Sequence, residues 1–598
     1  MRRMTAALLS RRDLEFLLYE WLDVEGLTRY PRFREHSRDT FDAVLELSET
    51  LASRAFRPHN RKSDLNEPWF DGTTVHVIPE VAVALAAFAE TGLLVGTADE
   101  SAGGIRLPHA VHRAAFAWFQ AANLATCAYP MLTMANAALL RAYATPDQVD
   151  MFARPMLEGR FFGTMCLSEP HAGSSLSDLK TRAVPDGPGR YRLFGQKMWI
   201  SGGDHEISEN IVHLVLARTG DTGSGVKGLS LFIVPKYLLN ADGSRGERND
   251  VAVAGLNHKM GYRGIPNTLL AFGEGAFAVD SAPGAVGFLV GQEGRGLPYM
   301  FHMMNEARIG VGAGAAALGC TGYLQALEYA KERRQGRQPR HKDPAAPAVP
   351  IIEHPDVRRM LLASKCYAEG AMALVLYAAR LLDVSIADTN ETARASATRL
   401  LDVLTPIVKS WPSQWCLYAN DLAIQVHGGA GYTRDHDVEQ FYRDNRLNPI
   451  HEGTHGIHAL DLLGRKVLID GGAGLDLLLS AIQDTVVAAS GTFAAWAAML
   501  SRRAARLAEV TKALWEDGDP DQALANATLY LEAAGHIVVA WLWLSQAVAA
   551  AGQSGPFYAG KLAAAHYFYS YELPQVDAQL DLLAAGDTLL LELNTAGL

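Results

Sequence analysis

The chain is predicted to be α+β and mostly α, in four parts. These are an N-terminal helical domain (1–158), a middle antiparallel β-domain (159–290), a C-terminal four-helix bundle (291–468) and an extra C-terminal helical domain (469–598). Three observations predict this. A chain of 598 residues is too long for one core. Apolar residues recur at helical spacing toward both ends, whereas short β-rich runs broken by Gly, Pro, Asp and Ser fill the middle. Those runs lack the long intervening helices of a βαβ sheet, so they read as antiparallel strands.

In chain order, Ala43–Ala55, Pro79–Thr91, His109–Asn123 and Met131–Ala144 carry the helical pattern, with Gly103, Gly104, Pro108 and Pro130 read as breaks. The β-rich runs are FGTMCL, YRLFGQKMWI, IVHLVLAR, LSLFIVP and TLLAFGEGAFAV, all between Phe161 and Ala285. Helices return at Tyr299–Glu332, Asp356–Leu382, Thr392–Lys409 and Trp415–Val426, enough for a bundle. The first two are separated by a proline-rich connector expected to be an exposed loop. Gly471 and Gly472 mark a junction, after which the tail is Ala- and Leu-rich helix with WEDGDPDQ, from Trp515, as its most charged loop.

Composition narrows the function. A hydrophobic fraction of 49% with 20% charged residues is that of an ordinary globular protein. The net charge of -11 argues against a nucleic-acid surface. The five cysteines are widely spaced, with no CxxC or Cys/His ligand pattern, as expected of buried thiols in a reducing cytosol without a bound metal. The apolar stretch near the N-terminus is too short for a secretion signal, and Val81–Val95 is interrupted by Glu90 and falls short of a membrane span. A cytoplasmic protein is expected.

The chemistry concentrates in Gln425–Lys466. Gly428, Gly429 and Gly431 would let backbone approach a phosphate or a ring closely. Glu452 follows, between His451 and Gly453. Alone, a glutamate just ahead of a helix-like run (Ile457 to Val467) is a favourable charge near a helix N-terminus.

Two further motifs change that reading. One is Met165-Cys166-Leu167-Ser168-Glu169-Pro170-His171-Ala172-Gly173-Ser174, followed by Gly195-Gln196-Lys197-Met198-Trp199-Ile200-Ser201. The other is NEARIGVGAG, containing Arg308, which leads to Glu332-Arg333-Arg334-Gln335-Gly336. With QVHGGAGY and HEGT, these three separated motifs in this order resemble the acyl-CoA dehydrogenases, over about residues 40 to 468.

The resemblance implies FAD. A flat redox-active ring needs hydrogen-bonding groups at its edge and one face left for substrate, and Ser168 and Ser201 offer hydroxyls from two strands. Met165, Leu167, Ser168, Trp199 and Ser201 would meet the flavin; Gly173 and Ser174 would meet its pyrophosphate and the CoA part of the substrate. The family builds each site from two subunits, so Arg333 and Gln335 would reach the neighbour's pyrophosphate, where the planar fork of Arg suits phosphate. Gln425, Gly428 and Gly429 would hold its adenosine diphosphate, implying a homodimer or a dimer of dimers, and Thr454 would be a further cofactor contact.

Glu452 matches the catalytic base, which takes the proton α to the thioester as hydride leaves the β-carbon for the flavin, giving a trans-2-enoyl thioester. Gly453 and Arg308 would border the substrate. Electrons would pass to an electron-transfer flavoprotein.

Some positions depart from the family pattern. Ser175 replaces a common Asp, His451 a common Tyr and His458 a usual Gln, while His455 reads as a surface residue. The tail and the proline-rich connector fit a longer bacterial branch of about six hundred residues, similar to fatty acyl-CoA and 3-methylmercaptopropionyl-CoA dehydrogenases. A fatty acyl-CoA of medium or longer chain is the expected substrate, with a short or sulfur-bearing acyl-CoA as the rival. An acyl-CoA oxidase would share these residues; a DNA-associated flavoprotein would need a basic C-terminal region, and this one is acidic.

Overall fold

The computed structural model describes residues 7–220, 222–338, 343 and 345–597. Part of the proline-rich connector (339–342 and 344) and the first six residues lie outside the described residues. The chain forms two compact units: Met1–Leu45 with Pro108–Ala121 and Val311–Leu598, and Glu46–Leu107 with Ala122–Gly310.

The second unit is organised on an eight-stranded sheet. A small hairpin, β1 (Trp69–Phe70) and β2 (Val75–His76), precedes it. The strands then run β3 (Phe161–Cys166), β4 (Arg182–Pro185), β5 (Arg190–Ser201), β6 (Asn210–Arg218), β7 (Leu229–Pro235), β8 (Tyr237–Leu239), β9 (Arg245–Arg248), β10 (Val251–Leu256), β11 (Asn267–Phe272) and β12 (Ala285–Leu289). The sheet order is β10-β11-β5-β12-β7-β6-β3, with β4 beside β5 and β6, while β8 and β9 pair separately. Its pairs are antiparallel except that β6 runs parallel to both β3 and β4. The run TLLAFGEGAFAV holds only one strand, because Gly273 (φ 80°) and Gly275 (φ 83°) turn the chain after Phe272.

β6 and β7 are buried along their whole lengths because both faces of the sheet are covered. Successive side chains on a strand point to opposite faces. Accordingly Val212, Leu214, Leu216, Leu229, Leu231 and Ile233 join one cluster, with Leu139 and Leu140 of the helix Leu124–Tyr143. Val215, Ala217, Phe232 and Val234 join the other, with Leu193 and Phe272.

Pro130 does not break the chain as expected. The helix Leu124–Tyr143 starts at Asn123, whose side chain accepts from the Thr126 N–H, and passes through Pro130. Burial of every residue from Leu124 to Pro130 outweighs the one backbone bond the proline removes. The same happens in the first unit, where the stretches expected as two helices, 392–409 and 415–426, form one helix, Glu391–His427, with Pro406 and Pro412 inside it. Its residues 403–413 are buried without interruption, so tertiary packing carries it past both prolines.

The first unit also contains N-terminal helical segments, most of the helix His109–Ala122, the C-terminal part of the helix Gly296–Glu332, the helices Pro355–Ala387 and Val438–Asn445, and the helices of the tail. The chain kinks at 470–472, where Asp470, Gly471 and Gly472 all have positive φ. Two helices, Pro355–Ala387 and Ala527–Ala550, are long and apolar enough to cross a membrane, but 61% and 83% of their apolar windows are buried in the folded chain. A buried charge cluster ties the N-terminal segment to this tail: Lys561 reaches Asp13 and, at 2.9 Å, Glu369, which also bonds Lys365. All five cysteines are buried and free.

Candidate active site

In the second unit the strand β3 delivers Met165, Leu167 and Ser168 beside the end of β5. Met165 and Leu167 are half-buried and pack on the core. Across from β5 the register with β11 shifts between Thr268 and Leu270, so that Met198 and Trp199 together oppose one residue. This bulge puts Trp199 in the left-handed region (φ 65°), which costs a non-glycine residue about 1–2 kcal/mol, and leaves the residue 60% exposed. The hydroxyls of Ser168 and Ser201 and the indole N–H of Trp199 have no hydrogen-bond partner among the described residues.

What holds this corner together was not singled out from sequence. Lys197 is wholly buried and donates from Nζ to the Leu167 carbonyl at 2.8 Å and to Glu169 Oε1 at 2.9 Å. Glu169 also accepts from the N–H groups of Lys180 (2.8 Å) and Thr181 (2.9 Å), and the Met198 N–H donates to the Ser168 carbonyl at 2.9 Å. Burial pushes the Glu169 carboxyl up, but the Lys197 ammonium and these donors outweigh it and hold it below the usual range. The segment 167–169 is therefore pinned to the strand that carries Trp199. Each partner sits inside a motif noted above, yet read locally each is an ordinary surface charge.

Gly173 and Ser174 are exposed just after a turn closed by Glu169 and Ala172. Ser175 gives the following short helix no side-chain cap. Arg218 secures that loop instead, donating to the Ser177 carbonyl at 2.8 Å and the Leu179 carbonyl at 3.2 Å. Arg308 is 3% exposed and belongs to this same unit.

The remaining candidates lie in the first unit. Arg333 and Gln335 sit on an exposed ledge in which 333–336 runs beside 349–351: Ile351 N–H donates to Arg333 O (2.8 Å) and Gln335 N–H to Val349 O (3.0 Å). Alternate residues share a side of such a ledge. Neither side chain has a partner among the described residues. Tyr329, one turn earlier, stacks on His427 with ring centres 4.2 Å apart, which brings the ledge to the end of the helix Glu391–His427. Its last turn carries exposed Gln425, and it is capped by Gly428, whose φ of 60° and ψ of -140° suit only glycine. A Cβ at Gly428 or Gly429 would meet no atom within 4 Å, so the turn is open.

Glu452 is half-buried with φ 55°, and Gly453 follows with φ 96°. Thr454 caps the next helix, His455–Asp461, by accepting from the Ile457 N–H. His458 is wholly buried, and its Nε2 bonds the Glu452 carbonyl at 3.0 Å, so it serves this loop. His455 is not the surface residue expected: it is partly buried, and burial, then the charges of Lys409 and Arg446, push its imidazole down to about 4. Burial and Lys409 likewise push His451 down to about 3. Both are neutral at pH 7.

Comparison with known proteins accords with these features. Family models match residues 164–274 (acyl-CoA dehydrogenase, middle domain), 294–468 (acyl-CoA dehydrogenase, C-terminal domain) and 478–594 (acetyl-CoA dehydrogenase C-terminal like). The chain is 36% identical to a 3-methylmercaptopropionyl-CoA dehydrogenase of Ruegeria pomeroyi, over 97% of this chain and 98% of that one. It is 34% identical to a broad-specificity linear acyl-CoA dehydrogenase of Mycobacterium tuberculosis, over 98% of each. Its fold matches that of a Bacillus anthracis acyl-CoA dehydrogenase complexed with FAD, with a TM-score of 0.73 at 18% identity over 98% of this chain and 93% of the other. The chain belongs to the acyl-CoA dehydrogenase family, FAD-dependent oxidoreductases that act on CH–CH bonds.

Proposed function

We propose that this enzyme dehydrogenates a straight-chain fatty acyl-CoA of medium or longer chain to its trans-2-enoyl-CoA, with Glu452 as the base. The observation that carries the proposal is the Glu452 turn, a half-buried carboxylate on a left-handed backbone next to a glycine, on a loop tied down by buried groups.

The residues fit FAD. An exposed Trp199 beside the Ser168 and Ser201 hydroxyls, which have no partner among the described residues, offers a flat apolar surface with polar edges. The open turn at Gly428 and Gly429 and the exposed Arg333 guanidinium offer backbone and charge to a dinucleotide. When bound, FAD supplies the two-electron acceptor this oxidation needs.

The protein's own groups do the rest. The Glu452 carboxylate accepts the α-proton of the thioester, and the N–H groups of its turn are the donors for the charge that gathers on the thioester oxygen. Ser168, Trp199 and Ser201 would orient the ring; Gly173 and Ser174 would border the pyrophosphate and the CoA; Arg333, Gln335, Gln425, Gly428 and Gly429 would hold the dinucleotide of a second subunit in a homodimer, with Thr454 a further cofactor contact. Gly453 and Arg308 border the substrate, and an electron-transfer flavoprotein takes the electrons.

Anaerobic titration with a panel of acyl-CoAs tests the reading, the one that bleaches the flavin fastest naming the substrate. A methylthio-bearing acyl-CoA outpacing the straight chains would move the assignment to the rival substrate. Glu452→Gln should keep its flavin and slow bleaching by about 10²–10⁴-fold; undiminished bleaching refutes Glu452 as the base.

A further inference from the structure

The loop that carries Glu452 is gripped by three sets of buried polar groups from its own unit. Lys409, wholly buried on the helix Glu391–His427, donates from Nζ to the Gly453 carbonyl. His458 Nε2 bonds the Glu452 carbonyl. The third set is a chain of amides: Asn420 Nδ2 donates to the Leu318 carbonyl (2.9 Å), Asn445 Nδ2 to Asn420 Oδ1 (2.7 Å), and Asn448 Nδ2 to Asn445 Oδ1 (2.9 Å). All three asparagines are fully buried.

A backbone carbonyl only accepts, so the Leu318 end fixes the direction of every amide in the chain. The last one therefore presents Oδ1 to His451 Nε2 at 3.1 Å, and that nitrogen of the neutral ring carries the proton. Each of the three residues 451, 452 and 453 thus has one polar group fastened to a buried frame, across a turn whose positive φ angles are otherwise free to relax. An ammonium is costly to bury, and a neutral side chain of the same length would fill the same space.

We propose that Lys409 is a positioning residue for the reaction: by holding the Gly453 carbonyl it keeps the Glu452 N–H and carboxylate in their reactive orientation, with His458 and the asparagine chain as its counterparts on the same loop. The inference rests on Glu452 being the base.

The test is anaerobic stopped-flow reduction of the purified holoenzyme by octanoyl-CoA and butyryl-CoA, with FAD content and the dissociation constant read alongside. Lys409→Met should retain FAD and bind the acyl-CoA within about threefold of wild type, yet reduce its flavin about 10–100-fold more slowly. Reduction at the wild-type rate, or a loss confined to binding, overturns the proposal. If Lys409→Met does not fold, His458→Leu against His458→Gln decides. The leucine variant, which lacks a donor, should be about tenfold slower than the glutamine variant; equal rates overturn it. Glu452→Gln in the same assay separates the two claims. Full reduction there removes the base itself, whereas a dead Glu452→Gln beside a fully active Lys409→Met removes only the positioning role.

Discussion

Lys197 Nζ lies 2.9 Å from Glu169 Oε1, and the two side chains are 0% and 2% exposed. A buried ion pair is poor evidence of stability by itself, but removing one partner leaves a charge out of water, which costs about 3–5 kcal/mol. Lys197→Met should therefore lower Tm sharply and, because the same ammonium holds the Leu167 carbonyl next to Ser168, empty the protein of flavin. Glu169→Gln, which keeps an acceptor, should lose less. Thermal melts paired with the flavin absorbance of the purified variants measure both effects.

Trp199 makes the opposite prediction. Its ring is mostly in water and its backbone is left-handed, so Trp199→Gly removes no core contact and relieves strain. The apoprotein should melt no lower than wild type, while FAD affinity falls about tenfold or more through the lost aromatic surface. A matching drop in apoprotein Tm would show that the ring serves the fold and not the cofactor.

Gly312 tests the support beneath the base loop. Pro412 has no N–H for the Val408 carbonyl, and that oxygen lies where a Cβ on Gly312 would come within 2.1 Å of it. Neither backbone can yield as a flexible side chain could, so Gly312→Ala should cost about 3 kcal/mol. Calorimetric unfolding would register it, and a neutral outcome would mean the helix bearing Lys409 shifts freely.

Acid should unfold the protein early. Burial pushes His109, His213 and His451 down to about 3, and His427 and His455 down to about 4, from an ordinary value of 6.5. The fold holds these rings neutral, whereas the unfolded chain takes up their protons. The stability they contribute is complete above pH 6.5 and is lost as pH falls from there toward 3–4. Melting temperature should be flat from pH 8 to 7 and fall steeply below 6.5, and His213→Gln, which cannot titrate, should soften that fall.

The strands of the middle region and the extent of most helices were legible because their periodicity is local. What sequence could not show depends on partners far along the chain. Pro130 reads as a break and the stretch holding Pro412 as a gap between two helices, since nothing in their neighbours reveals that packing will bury them. Lys197 and Glu169 stand 28 residues apart, and Lys409 stands 44 from Gly453, so each looked like an ordinary surface charge. Glu452 and the glycine turn were visible as residues, but the left-handed backbone at Glu452 and Trp199 follows from register and bulge geometry that no side-chain type announces.

The sealed thiols give this protein a built-in gauge of its own opening. Cys127 and Cys166 lie in one compact unit, and Cys320, Cys366 and Cys416 in the other. Burial raises the pKa of each, so none is a ready nucleophile while the chain is closed. Under gentle warming with an alkylating reagent, the order in which the pair and the trio become labelled reports which half of the molecule lets go first.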